Sequence, residues 1–223
     1  MTEEHAESYR RLRRRVTDLV SEIDPSALDL TAPATPEWRV RDVMAHMVGV
    51  ADDVVNGRLD GLASDAWTAA QVERRRAVPV LQLFDDWEQW GPGFEQMLAA
   101  GPMEMTGQAL FDSVTHEHDI RHAVARPGAR DTDAMDQSWE WFLAVRSGAG
   151  APAMRFITEQ GEAISGTGDV RVTVQAPRFE LMRAATGRRT MAEITSYAWI
   201  PAPDVHMLIG GPLFTIRTES LGE

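Results

Sequence analysis

Cysteine is absent from all 223 residues. That absence excludes a disulfide framework, a protein thiol nucleophile and a thiolate metal site together. Any thiol chemistry here needs a borrowed thiol. Basic charge is scarce as well: 22 Lys+Arg face 34 Asp+Glu, a formal net charge of −12 and a sequence pI near 4.9. Nucleic-acid binding needs a basic stripe, and the dense clusters Arg10 to Arg15, Arg74 to Arg76 and Arg188 to Arg189 are too short to supply one. No nucleic-acid partner is expected. Also missing is any apolar run approaching about 18 residues, and the acidic-then-basic start from Met1 to Arg15 has no apolar stretch behind it. Neither a membrane span nor a secretory signal is expected, and the chain reads as cytoplasmic.

What is present suits a folded core. Hydrophobic residues make up 43% of the chain and charged residues 25%, close to globular averages. The length fits one domain of about 150 residues with a smaller appendage, or two small domains.

Helical periodicity dominates the first two thirds. Tyr9, Leu12, Val16, Leu19, Val20 and Ile23 recur at spacings of three and four until Pro25, and Val40, Val43, Met44, Met47, Val50 and Val54 repeat the pattern before Gly57 and Gly61. A third helix is expected from Ser64 or Asp65, either of which can cap the N–H groups ahead of Trp67. A fourth runs from Val80 to about Ala99, with Gly91-Pro92-Gly93 expected to kink or break it. Gly107 to Ala125 and a stretch from Thr132 or Asp133 through Val145 complete the set. After Gly148 the texture changes. Val170, Val172 and Val174 alternate with polar residues as a strand does, Phe179 to Ala185 and Met191 to Trp199 read as helices, and Val205 to Ile209 and Leu213 to Arg217 read as short strands. The expected architecture is mainly α: an up-down helical bundle over 1–148, then a small α+β portion over 149–223.

The segment Phe111 to His122 carries the chemistry. At 100° per residue Asp112 and His116 sit about 40° apart, and Asp119 falls about 20° to the other side of Asp112. His118 and His122 project about 80 to 120° away from that face. A carboxylate and an imidazole one turn apart can both reach a divalent ion, as ligand pairs do in helical bundles. The third ligand is sought in His46, set among Val43, Met44, Met47 and Val50 where an uncompensated polar ring is costly. His46, Asp112 and His116 then form a His₂-carboxylate set with open positions. The competing readings are a hydrogen-bonded core histidine at His46 and a solvated helix face at His116 to His122.

The stretch Thr35-Pro36-Glu37-Trp38-Arg39-Val40-Arg41-Asp42-Val43-Met44-Ala45-His46-Met47-Val48-Gly49 resembles the loop-to-helix signature of the mycothiol-dependent maleylpyruvate isomerase family. That family is a branch of the DinB-like four-helix-bundle metalloproteins. A Trp, a basic and acidic helix start and a metal-ligating His recur there, and the His maps onto His46. A second family signature, an acidic residue, three positions, His, then Asp, reads here Asp112, His116 and Asp119. The resemblance makes Asp112 and His116 ligands, although the named isomerase has Glu where this chain has Asp112.

The resemblance implies a divalent ion, zinc first with nickel, iron or manganese as further candidates, and mycothiol as cosubstrate. The implied activity is thiol addition to an electrophilic small molecule, ending in S-transfer or in isomerisation. The partners are then that substrate and the low-molecular-weight thiol, with the chain a monomer or homodimer. Two other functions stay open: a non-catalytic bundle binding a small ligand or metal, and a metal-dependent hydrolase activating water. Asp119 is a candidate to orient His116, or else a salt-bridge partner of Arg121 or Arg41. Arg188 and Arg189 are candidates to hold a substrate or thiol carboxylate, against plain surface solvation or a helix start.

Overall fold

A computed structural model describes residues 2–209 and 215–223. The chain is mainly helical with a small C-terminal sheet. It divides into two compact units, Met1–Ala134 and Met135–Glu223.

The first unit holds α1 (Thr2–Glu22), α2 (Val40–Val55), α3 (Asp65–Arg75), α4 (Val80–Ala100) and α5 (Met103–Ala123). In this unit α1 and α2 each pack against both α4 and α5, while α3 packs on α2. The apolar stripes explain these contacts. Tyr9, Leu12 and Val16 of α1, Val43, Met44 and Val48 of α2, Leu83, Trp87 and Phe94 of α4, and Leu110 and Val114 of α5 are all buried. The aromatic groups of this core pair with one another: Trp87 Nε1–H donates to Tyr9 Oη at 2.9 Å, and Tyr9 meets Phe94 edge-on at 4.9 Å. Burial pushes the Tyr9 phenol up from its ordinary value.

Helix ends follow capping chemistry. Ser64 Oγ accepts the Trp67 N–H, and at the start of α2 the Asp42 carboxylate accepts from both Arg39 N–H and Arg39 Nε at 3.0 and 2.9 Å. The expected interruption of α4 is not a break, because the helix runs on through Pro92. The flanking glycines serve close approach instead. A Cβ at Gly91 would lie 2.8 Å from Arg13 Nε, and one at Gly93 would lie 3.2 Å from Val55.

The second unit comprises most of α6 (Asp133–Gly148), β1 (Pro152–Thr158), β2 (Gly161–Ser165), β3 (Thr167–Gln175), α7 (Arg178–Ala185), α8 (Met191–Thr195) and β4 (Ala198–Ile200). The boundary between the units therefore falls a helix earlier than the texture change at Gly148 suggests. The aromatic cluster of Trp139, Phe142 and Phe156, with ring centroids 5.2 to 6.2 Å apart, commits α6 to the sheet. Strand order is β2-β1-β3-β4; β1 and β3 run parallel, and the outer pairs are antiparallel.

Three expectations are corrected in this unit. The helix expected over Met191 to Trp199 stops at Thr195, and Trp199 instead pairs opposite Val174 as part of β4. Val205 to Ile209 is no strand: Val205–Met207 form a 3₁₀ turn, since Val205 and Leu208 bury at a spacing of three rather than two. Of the strand expected over Leu213 to Arg217, residues 213 and 214 lie outside the described residues, and Arg217 makes an isolated bridge to Thr190.

The first unit's core sets the stability of everything built on it. Leu12 is fully buried, so Leu12→Ala is expected to cost about 2 to 5 kcal/mol, read as a lowered denaturation midpoint at unchanged slope in chemical unfolding.

Candidate metal centre

Asp112 and His116 lie one turn apart on α5, and His46 reaches them from α2. One ligand atom from each lies within 4.8 Å of the other two. His46 Nε2 is 3.3 Å from Asp112 Oδ2, and His116 Nε2 is 3.5 Å from Asp112 Oδ1. Two ligand atoms held about 2.0 to 2.1 Å from a zinc ion at tetrahedral angles stand about 3.3 Å apart, and each histidine's distance to the carboxylate is close to that separation. The imidazole rings meet at near right angles with centroids 4.9 Å apart. The Trp38 ring lies 5.4 Å from His46 and 6.0 Å from His116. Trp38 is held over them by its loop, where its N–H donates to Thr35 O at 2.8 Å and its carbonyl accepts from Ala32 N–H.

Each imidazole is tethered at its far nitrogen. His116 Nδ1 lies 3.1 Å from Asp119 Oδ2, and Asp119 is fully buried. His46 Nδ1 lies 2.8 Å from Gln71 Oε1 on α3. Both Nε2 atoms therefore turn toward Asp112. The two histidines are buried, whereas the Asp112 side chain is 40% exposed, which leaves an approach from solvent on the carboxylate side. The phase of α5 is fixed from the opposite face. Buried Glu117 accepts two hydrogen bonds from Arg15, at 3.1 and 2.8 Å, and two from Arg121, at 3.1 and 3.0 Å. The segment is thus no solvated face, because His116, Glu117, His118 and Asp119 are all buried.

Charge is concentrated around the cluster. Desolvation pushes the Asp112 carboxyl up, but the His116 and His46 imidazoles beside it prevail and hold it well below the usual carboxylate range. For His116 desolvation works downward, and Asp112 and then Asp119 outweigh it, raising the ring to about 9.

Among the described residues His46, Asp112 and His116 are the group able to hold a metal ion. His118 and His122 are not part of it. His5 instead faces Thr106 Oγ1 at 2.9 Å, and His206 sits in the second unit's 3₁₀ turn. Asp119 stands where an orienting carboxylate belongs, while Arg121 pairs with Glu117 and Arg41 donates to Val78 O. Arg188 and Arg189 are in the second unit and buried. Arg189 donates to Glu180 through two nitrogens and to Glu223 through the third, so its carboxylate partners are the chain's own. Arg188 donates to Thr186 O at 2.7 Å.

Gln71 is a contributor that residue spacing does not reveal. Its signal is indirect and lies in Gly49, three residues beyond His46. A Cβ there would come within 2.6 Å of Gln71 Cβ, so the glycine lets α3 close on α2 and brings the amide to the imidazole. No family model, curated protein or solved structure matches the chain.

The close approach at Gly49 can be tested by filling it. Gly49→Ala gains about 1 kcal/mol in helix propensity but overpacks the α2–α3 contact, so a net loss of stability of up to about 2 kcal/mol is expected in a denaturation curve. Zinc must also displace a proton from His116. Below the raised value near 9 the ring is charged in the metal-free protein, so the zinc dissociation constant measured against a competing chelator should fall about tenfold per pH unit and level off near pH 9. The stabilisation that charged His116 gives the metal-free fold has the opposite course. It is complete below the ordinary value of 6.5 and is lost as pH rises through about 9.

Proposed function

We propose that the protein is a divalent-metal-dependent enzyme that activates a low-molecular-weight thiol, mycothiol in the first instance, for S-transfer to an electrophilic small molecule or for its isomerisation. The helical unit is read as a DinB-like up-down bundle of the mycothiol-dependent maleylpyruvate isomerase type. The observation that carries this reading is the convergence of His46 Nε2, Asp112 and His116 Nε2 at ligand spacing, with solvent reaching the carboxylate side. A divalent ion bound there supplies Lewis acidity that lowers the pKa of a thiol at an open coordination position.

The chain's own residues supply the remaining functions. His46 and His116 present nitrogen donors, His116 once it has given up its proton. Asp119 holds the His116 ring in orientation and raises its basicity as a ligand. Trp38 covers both rings on one side and narrows access to the carboxylate side. The sequence contains no cysteine, so the nucleophilic sulfur in this scheme belongs to the small molecule. Zinc suits the mixed nitrogen and oxygen donors, and nickel, iron and manganese suit them as well.

The test pairs metal analysis with turnover. His46→Ala and His116→Ala are each expected to lose bound metal and thiol-dependent turnover together, because two remaining ligands hold an ion poorly. The assay combines mycothiol, bacillithiol or glutathione with electrophiles such as maleylpyruvate. Metal-loaded protein that turned over none of these pairs, with no thiol-induced change in the cobalt-substituted spectrum, would shift the reading to a non-catalytic ligand-binding bundle. Hydrolysis without added thiol would shift it to water activation.

A further inference from the structure

A neutral imidazole carries one N–H, and the hydrogen bonds at its two nitrogens decide which one. At His46 two acceptors compete for that hydrogen: Gln71 Oε1 at 2.8 Å from Nδ1, and Asp112 Oδ2 at 3.3 Å from Nε2. A hydrogen on Nε2 would cover the lone pair that faces Asp112 and His116. The outcome depends on which way the Gln71 amide points.

The surroundings leave one answer. Gln71 Nε2 lies 3.0 Å from Asp53 Oδ2, and Asp53 is 1% exposed. The Asp53 carboxylate accepts from Arg58 Nε at 2.6 Å and from Arg74 at 2.5 and 2.6 Å. Between two guanidinium groups it is an acceptor with no proton to give. The Gln71 NH₂ must therefore face Asp53, and its carbonyl oxygen must face His46. A carbonyl oxygen only accepts, so His46 must donate from Nδ1. The direction of every hydrogen bond from Arg58 and Arg74 through Asp53 and Gln71 to His46 is fixed by the first link.

We infer that Gln71 and Asp53 are positioning residues which lock His46 in its Nδ1–H form and keep its Nε2 lone pair turned toward Asp112 and His116. This rests on reading those three residues as an ion site. The amide does for His46 what Asp119 does for His116, but without placing a second carboxylate against a ring.

Long-range ¹H–¹⁵N correlation spectra of ¹⁵N-histidine-labelled, metal-free protein, at a pH where the His46 ring is neutral, read the tautomer directly. The wild type should show Nδ1–H at His46. Gln71→Met should move the hydrogen to Nε2, where Asp112 accepts it, and weaken zinc binding by about tenfold or more. Gln71→Glu combined with Asp53→Asn exchanges the amide and the carboxylate, so that an N–H still lies between residues 53 and 71, keeps an acceptor of the same length at His46, and should restore both the Nδ1–H form and most of the affinity, which a merely space-filling role for Gln71 would not do. Wild-type His46 found in the Nε2–H form overturns the inference even if no variant folds. So does an unchanged tautomer in Gln71→Met. Failure of the wild type to bind zinc, with the tautomers as expected, would overturn the ion-site reading and support the lock on His46.

Discussion

The helical unit is organised around one costly demand, that two buried imidazoles be held together against a half-exposed carboxylate. Buried polar groups are tolerated only when their hydrogen-bonding capacity is met. Here each ring nitrogen facing away from Asp112 has its own buried partner, Gln71 for His46 and Asp119 for His116. Those partners must in turn be placed. Gly49 brings α3 close enough for Gln71, and Glu117, gripped by Arg15 and Arg121, keeps α5 from rotating. The apolar contacts among α1, α2, α4 and α5 supply the free energy that such an arrangement consumes.

Much of this was legible from residue spacing. The i, i+4 relation placed Asp112 and His116 on one face because helical phase is a local property, and the same phase set His118 and His122 apart. The helix start at Ser64 was legible because capping is settled within four residues. His46 needed more, namely its burial among apolar neighbours and the resemblance around Trp38. Gln71 was not legible, since a glutamine in an amphipathic helix has no local mark, and its role depends on a contact across 25 residues of chain. The tail was read least well for the same reason. The strand β4 exists because Trp199 pairs with Val174, and β1 with β2 took shape from a sheet whose partners lie further along the chain. Alternation marks only strands with one wet face, and β1 buries Ala153, Met154 and Phe156 without it.

Charge follows a similar rule. All 22 basic residues are arginine, a side chain suited to paired, partly buried contacts with carboxylates. In the second unit Arg183 and Arg189 both reach Glu223. Burial pushes the Glu223 carboxyl up, and the two guanidinium groups more than offset it and hold it low. Adjacent arginines at Arg188 and Arg189 left an external anion and plain surface solvation both open, because the in-chain carboxylates that Arg189 meets, Glu180 and Glu223, stand nine and 34 residues away and are brought to it only by the fold. An arginine pair announces that an anion is wanted without saying whose it is.

The same logic gives Asp112 its place. Its two oxygens are divided between the histidines, Oδ2 toward His46 and Oδ1 toward His116, and the raised value of His116 shows how strongly this corner favours a positive charge. A proton and a divalent ion would compete for that preference. A longer glutamate at this position could swing away from one ring, whereas aspartate, one carbon shorter and fixed to the same helix as His116, stays centred between the two. The short side chain thus keeps both of its oxygens between the two rings. Precision at the carboxylate comes at the expense of reach, and the tethers at Gln71 and Asp119 then have to bring both imidazoles to it.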